Sequence, residues 1–214
     1  MHDTSSNVRT LQDILNSNTW PSAQEDDDDT NIVQQFDNFE INSEYLSIDQ
    51  LDDQIRQKKW YPHKFIAIHF NIRSLPKNFD KLRILLRRLS DKHLSPDAIL
   101  LCETFLTDTN KDLYGIDDYS FVGINRKHSR GGGVGIYIKN IYNYRLRNDI
   151  SIFYESKFES IFVELALNER RLYLGEVYRV PNTNVIESIN YFDELVSKLG
   201  KEKNVILGTD QNVD

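Results

Sequence analysis

KFIAIHFNIRSLPKNFDKLRILLRRLSDKHLSPDAILLCE, residues 64–103, is the stretch on which the fold turns. Its first nine residues are β-rich and apolar on both faces except at His69, the pattern of a strand covered on both sides. Pro76 and Asn78 then start a helix. Phe79, Leu82, Leu86 and Leu89 recur at helical spacing, while Lys81, Arg83, Arg87 and Arg88 take the outer face. Pro96 ends the connection, and DAILLCE follows as a second buried strand. Two such strands joined by a helix are expected to lie parallel, with a right-handed crossover.

Further along, YSFVGI, GVGIYI, SIFVELAL and RLYLGEVY read as strands, with no helix expected between 115 and 180. The short connection Asn168-Glu169-Arg170 predicts an antiparallel hairpin. A second helix covers about 185–199, its apolar face formed by Ile186, Ile189, Phe192, Val196 and Leu199, with Gly200 as the residue that stops it. NVILGT (204–209) completes another helix-to-strand step. The whole reads as one α/β domain over 61–214.

Residues 1–60 differ in texture. They carry 13 acidic and 4 basic residues, against 20 acidic and 22 basic in 61–214. The net charge of −7 therefore belongs to the N-terminal segment, and the near-neutral remainder does not exclude a polyanionic partner. Residues 1–42, with the run EDDDDT at 25–30, are too polar to offset their ordering entropy and are expected to be disordered. SEYLSIDQLDDQIRQ (43–57) suits a short helix with Ser47 or Asp49 as N-cap. Cys102 is the single cysteine, so neither a disulfide nor a thiolate metal site is expected, and no His/Cys cluster offers a zinc alternative. No run approaches the roughly 18 apolar residues of a membrane span. No secretory signal opens the chain.

The strand FIAIHF runs into Asn71, AILLC into Glu103, and VILGT into Asp210 and Asn212. In open α/β sheets ligands collect beyond the carboxyl ends of the strands. An Asx turn or a cap explains any one of these residues alone. Their recurrence on three buried strands suggests a hard, oxygen-lined site, and the chemistry wanting such a site is phosphate transfer with Mg²⁺. Tyr178, at the end of RLYLGEVY, either donates to a phosphate oxygen or caps the core. RGGGVG (130–135) lacks the Gly-Lys-Ser/Thr ending of a phosphate loop and precedes a strand, so its glycines are read as a tight turn. Arg126, Lys127 and Arg130 beside it form either a phosphate-backbone contact or a solvated loop. His69 taken alone is a hydrogen-bonded core histidine.

HFNIRSL (69–75), ILLCETFL (99–106), RGGGVGIYI (130–138), ESIFVEL (159–165), VYRVPNTN (177–184) and ILGTDQNVD (206–214) occur in this order. Together they resemble the endonuclease/exonuclease/phosphatase superfamily, the DNase I-like fold. Within it they look most like the apurinic-type endonuclease domain of retrotransposon polyproteins that lack long terminal repeats. The resemblance covers about residues 64–214. It implies a four-layer αββα sandwich and Mg²⁺-dependent hydrolysis of a DNA phosphodiester, with Mn²⁺ as the alternative ion. It also implies a reverse transcriptase further along the polyprotein, work inside the cell with the nucleus favoured, and no membrane partner; a monomer is the default.

Carried over residue by residue, the resemblance makes Glu103 the principal metal ligand and gives Asn71 the positioning of metal or phosphate. Tyr178 contacts the scissile phosphate, Asp210 orients or activates the attacking water, and Asn212 stabilises the phosphate. Two departures stand out. The usual Gly-Asp-Phe-Asn becomes Gly208-Thr209-Asp210-Gln211-Asn212, with an extra Thr. The family's late Asp-His pair has no counterpart before Asp214, so the chain is expected to lack the last strands, as a fragment inactive or nearly so alone. A phosphatase of the same superfamily and a non-catalytic binding remnant are the competing expectations.

Overall fold

The computed structural model describes residues 47–57, 65–167, 170–200 and 204–212. The disorder expected over 1–42 lies outside them. Helix α1 (Ile48–Gln57) fills the described part of the helix expected over 43–57. Ser47 caps it reciprocally: its Oγ accepts from the Gln50 amide at 3.2 Å while Gln50 Oε1 accepts from the Ser47 amide at 2.8 Å.

Strand β1 (Ala67–Asn71), helix α2 (Leu75–Asp91) and strand β2 (Ala98–Cys102) realise the strand–helix–strand unit. β1 and β2 are parallel, with Ala67 opposite Ala98 and Asn71 opposite Cys102. The helix begins slightly before its expected start, because Ser74 Oγ accepts from the Lys77 amide and Pro76 fits the first turn, where no N–H is needed. Strands β3 (Tyr119–Ile124) and β4 (Val134–Lys139) complete a sheet ordered β1-β2-β4-β3.

The second sheet holds β5 (Tyr144–Leu146), β6 (Phe153–Tyr154), β7 (Phe158–Leu167), β8 (Arg170–Arg179) and β9 (Val205–Asp210). Its order is β5-β7-β8-β9, with β6 on β7. β7 and β8 pair antiparallel along their full length, as the short connection predicted. Helix α3 (Val185–Leu199) leads from β8 to β9, which lie parallel. Asn184 Oδ1 caps it, accepting from Glu187 N.

Three apolar layers explain the stacking. Leu75, Leu82, Phe79 and Leu86 of α2 pack on Ile99, Leu101 and Tyr137 of the first sheet. Tyr191, Phe192, Leu195 and Leu199 of α3 pack on Phe158, Phe162, Tyr173 and Val177 of the second. Between the sheets lie Ala98, Leu100, Val134, Ile136, Ile161, Val163, Leu172 and Leu174. The result is the expected αββα sandwich. Helix α1 adds Ile48 and Leu51 to a smaller cluster with Leu89 and Leu94, and Asp49 pairs with Lys92 at 2.8 Å.

Side chains alternate along a strand, so the inter-sheet face carries every second residue. On β1 this face runs Ala67, His69, Asn71; on β2 Ala98, Leu100, Cys102; on β8 Leu172, Leu174, Glu176, Tyr178; on β9 Ile206, Gly208, Asp210. Each of these four rows begins apolar and turns polar or small toward its carboxyl end. The sandwich thus has an oily middle and one polar rim.

Candidate active site

Asn71 stands at the centre of that rim. Its Nδ2 donates to Glu103 Oε1 at 2.8 Å and to Asp210 Oδ2 at 2.6 Å. Tyr178 OH donates to the same Glu103 oxygen at 3.1 Å. Four residues expected from three strand ends and a tyrosine are therefore one constellation, spanning both sheets.

Glu103 reaches it by leaving the strand. Alternation would send residue 103 away from the inner face occupied by Cys102, but Glu103 has φ 52°, in the left-handed region. That conformation is uncommon outside glycine and marks a backbone held by its surroundings. The hold is visible: Glu103 O accepts from Ser74 N at 2.8 Å, and Thr104 O accepts from Leu75 N at 2.8 Å. The loop entering α2 and the loop leaving β2 fix each other.

Arg179 anchors the other flank. Its buried guanidinium donates to the carbonyls of Gln211 (3.0 Å), Asn212 (2.6 Å) and Thr183 (2.6 Å) and to Ser188 Oγ (2.9 Å). Asn212, at φ 43°, returns its Nδ2 to Arg179 O at 2.7 Å. The Asn212 side chain is thus tied to the end of β8 instead of joining the Asn71 cluster.

The three basic candidates part company. Arg126 is drawn inward: its Nε pairs with the fully buried Glu159, and its guanidinium lies over Gly132, where a side chain would collide with it. Its charge is felt at Tyr178, and its Nη2 is buried without a hydrogen-bond partner among the described residues. Lys127 and Arg130 remain exposed. Glu155 organises their loop by accepting from the amides of Lys127, His128 and Ser129. Gly131, Gly132 and Gly133 all have positive φ, so the glycine run is a turn into β4, as read from the sequence.

Three further polar groups meet on the inner face: His69 is hydrogen-bonded as the sequence suggested, Glu176 was not singled out, and with Cys102 they form the His/Cys cluster that the sequence was expected to lack. His69 Nε2 lies 3.0 Å from Glu176 Oε1, and Cys102 Sγ lies 3.9 Å from the same nitrogen. Sγ is also 3.8 Å from Asp210 Oδ2. Burial pushes the Glu176 carboxyl well above the carboxylate range, against the pull of the His69 bond. Burial alone would lower His69, yet its bond to Glu176 and the charges of Glu176 and Asp210 outweigh it and raise it. Burial also pushes the Cys102 thiol and the Tyr178 phenol up, the latter reinforced by the Glu103 charge, so Tyr178 is a proton donor at neutral pH. The signal available in the sequence was spacing: His69 is two before Asn71 and Glu176 two before Tyr178, hence on the same faces.

Solved structures share this architecture. The endonuclease domain of TRAS1, a telomere-specific non-LTR retrotransposon, is 12% identical with a TM-score of 0.51, covering 71% of this chain and 60% of its own. TDP2 of D. rerio, humanized by 14 mutations, is 17% identical at 0.50, covering 69% and 62%. The 3′-5′ exonuclease NExo of Neisseria meningitidis is 16% identical at 0.50, covering 68% and 57%. The chain has the DNase I-like fold of the endonuclease/exonuclease/phosphatase proteins, and spans about three fifths of the length of these structures. No protein-family model and no curated protein matches the sequence.

Proposed function

We propose that this chain is a metal-dependent phosphodiesterase domain that nicks DNA, of the kind carried by non-LTR retrotransposons. The observation that carries the proposal is the single amide of Asn71 holding Glu103 and Asp210 together at the carboxyl rim of both sheets. The likeness in fold to the TRAS1 endonuclease domain is consistent with it.

The donor set suits a hard cation. Glu103, Asp210 and Asn71 offer oxygens only, and two carboxylates sharing one nitrogen are a place where a cation relieves their repulsion. Glu103 would hold Mg²⁺, or Mn²⁺, with Asn71 beside it; the ion would polarise a phosphorus–oxygen bond and stabilise the leaving oxygen. Asp210 is left to accept the proton of the attacking water, in a position fixed by Asn71 on one side and the Arg179-anchored turn on the other. Tyr178, kept protonated, donates its hydroxyl hydrogen toward a phosphate oxygen. Asn71 orients both carboxylates. Asn212 shapes the turn that presents Asp210.

A polyanionic substrate has room to continue past the site. Between β1 and α2 an open cavity of about 330 Å³ is lined by Asn71, Arg73, Asn78 and Lys81 over a floor of Phe70, Leu82 and Leu85. Arg73 and Lys81 give it positive charge next to Asn71, suited to a phosphate backbone. Lys127 and Arg130 add positive charge on the exposed loop before β4, while Arg126 pairs with Glu159 within. A DNA substrate would place this work in the nucleus.

The test is nicking of supercoiled plasmid with Mg²⁺, by this chain and by the chain joined to the Asp-His strand that the resemblance anticipates. Relaxed circles that vanish with a chelator and with Glu103→Ala support the reading. Turnover of a small phosphomonoester without nicking would replace it with a phosphatase. Absence of any Mg²⁺-dependent hydrolysis from both proteins would leave a non-catalytic module.

A further inference from the structure

Beneath the Asn71 constellation, and touching it where Cys102 Sγ lies 3.8 Å from Asp210 Oδ2, are three side chains with another chemistry. His69 comes from β1 and Cys102 from β2, both in the first sheet; Glu176 comes from β8 in the second. One donor atom of each lies within 4.8 Å of the others. We propose that His69, Cys102 and Glu176 form a binding site for a borderline divalent transition cation, zinc foremost, which pins the two sheets together under the active rim. The inference does not depend on the hydrolase reading.

Donor identity selects the cation. A nitrogen, a sulfur and one carboxylate make a mixed set that suits zinc and disfavours Mg²⁺, which takes oxygen ligands. In a tetrahedral zinc site the nitrogen and oxygen ligands would be about 3.4 Å apart and the sulfur and nitrogen about 3.6 Å. The corresponding separations are 3.0 Å and 3.9 Å, so small side-chain adjustments reach coordination.

Charge and hydrogen bonding point the same way. Glu176 is fully buried, and its Oε2 has no hydrogen-bond partner among the described residues. A buried carboxylate oxygen left without a donor is costly, and a cation satisfies it. With neutral His69, a Cys102 thiolate and a Glu176 carboxylate, a divalent ion brings the buried cluster to zero net charge. The Cys102 thiol proton and the proton held between His69 Nε2 and Glu176 Oε1 leave to solvent as the ion arrives. Gly208 keeps the space open: a Cβ there would sit 2.4 Å from Glu176 Oε2 and 2.7 Å from the His69 ring. The His69 side chain is 29% exposed and offers the way in.

Cobalt(II) added to the full, chelator-stripped chain tests the proposal. Cys102 is the only cysteine, so a thiolate-to-cobalt charge-transfer band can arise nowhere else. The expected result is one equivalent bound, with that near-ultraviolet band and the intense visible bands of a four-coordinate site, all displaced by zinc. Cys102→Ser abolishes the band, and Glu176→Gln weakens binding at least about tenfold. Zinc also raises the thermal midpoint of the wild type and not of Cys102→Ser. A wild type without the charge-transfer band overturns the proposal, whether or not the variants fold. So does a band that Glu176→Gln leaves undiminished.

Discussion

Glu103 and Asp210 lie at the rims of different sheets, yet both accept from one nitrogen, Asn71 Nδ2, at 2.8 and 2.6 Å. Two carboxylates brought that close to one another have an electrostatic reason to exist only where positive charge arrives. Removing one therefore tests the site directly. Glu103→Ala is expected to fold and to lower Mg²⁺-dependent nicking at least about a hundredfold, on the order of 3 kcal/mol of transition-state stabilisation. Initial rates on supercoiled plasmid measure it, and wild-type rates from Glu103→Ala would remove Glu103 from the chemistry.

Arg179 satisfies four acceptors at once from a buried position, and two of them belong to the turn after Asp210. Lysine is charged but lacks the guanidinium fork that spans such a set. Arg179→Lys is expected to lose about 2–4 kcal/mol of stability and to reduce nicking further than stability explains. Denaturant unfolding together with rates on the folded fraction separates the two losses. Equal stability in both proteins would contradict the anchoring role.

Gly208 is required by a close approach between sheets, not by backbone conformation. A methyl group there meets Glu176 Oε2 at 2.4 Å and the His69 ring at 2.7 Å. Gly208→Ala is expected to cost about 1–3 kcal/mol through overpacking. A chemical denaturation midpoint equal to the wild type's would show that the pair moves aside freely.

The pair should also write a signature into stability against pH. Both Glu176 and His69 have folded pKa values raised above their ordinary 4.5 and 6.5, so the folded protein binds more protons than the unfolded chain. Stability from these groups is complete below the unfolded values and is lost as pH rises through the folded ones. Groups held down, such as Asp149 at about 2 beside Arg147, act at lower pH and leave that window clear. The unfolding free energy of the metal-free protein, measured with a chelator present, is expected to fall between about pH 5 and about pH 8, and Glu176→Gln to flatten the fall. A wild-type profile rising across that interval would reverse the assignment.

Much of this was legible along the chain. The β1–α2–β2 unit, the β7–β8 hairpin and the α3–β9 step follow from periodicity, because each element must bury one stripe or face. Asn71, Glu103, Asp210 and Tyr178 stood out because polar groups end otherwise apolar strands. Arg126 illustrates the limit. Its sequence neighbourhood is a basic loop, but Glu159, on β7 of the other sheet, draws it inside while Lys127 and Arg130 stay in solvent.

What the sequence determined by itself was the set of elements and the polar residues at their ends, since local spacing decides which residues share a face. Only the tertiary structure decided which faces meet. Glu103 needs a left-handed turn pinned by the loop before α2, and His69 finds Glu176 only because two sheets stack with glycine at Gly208 between them. Those pairings depend on contacts between distant segments, for which a one-dimensional pattern carries no term.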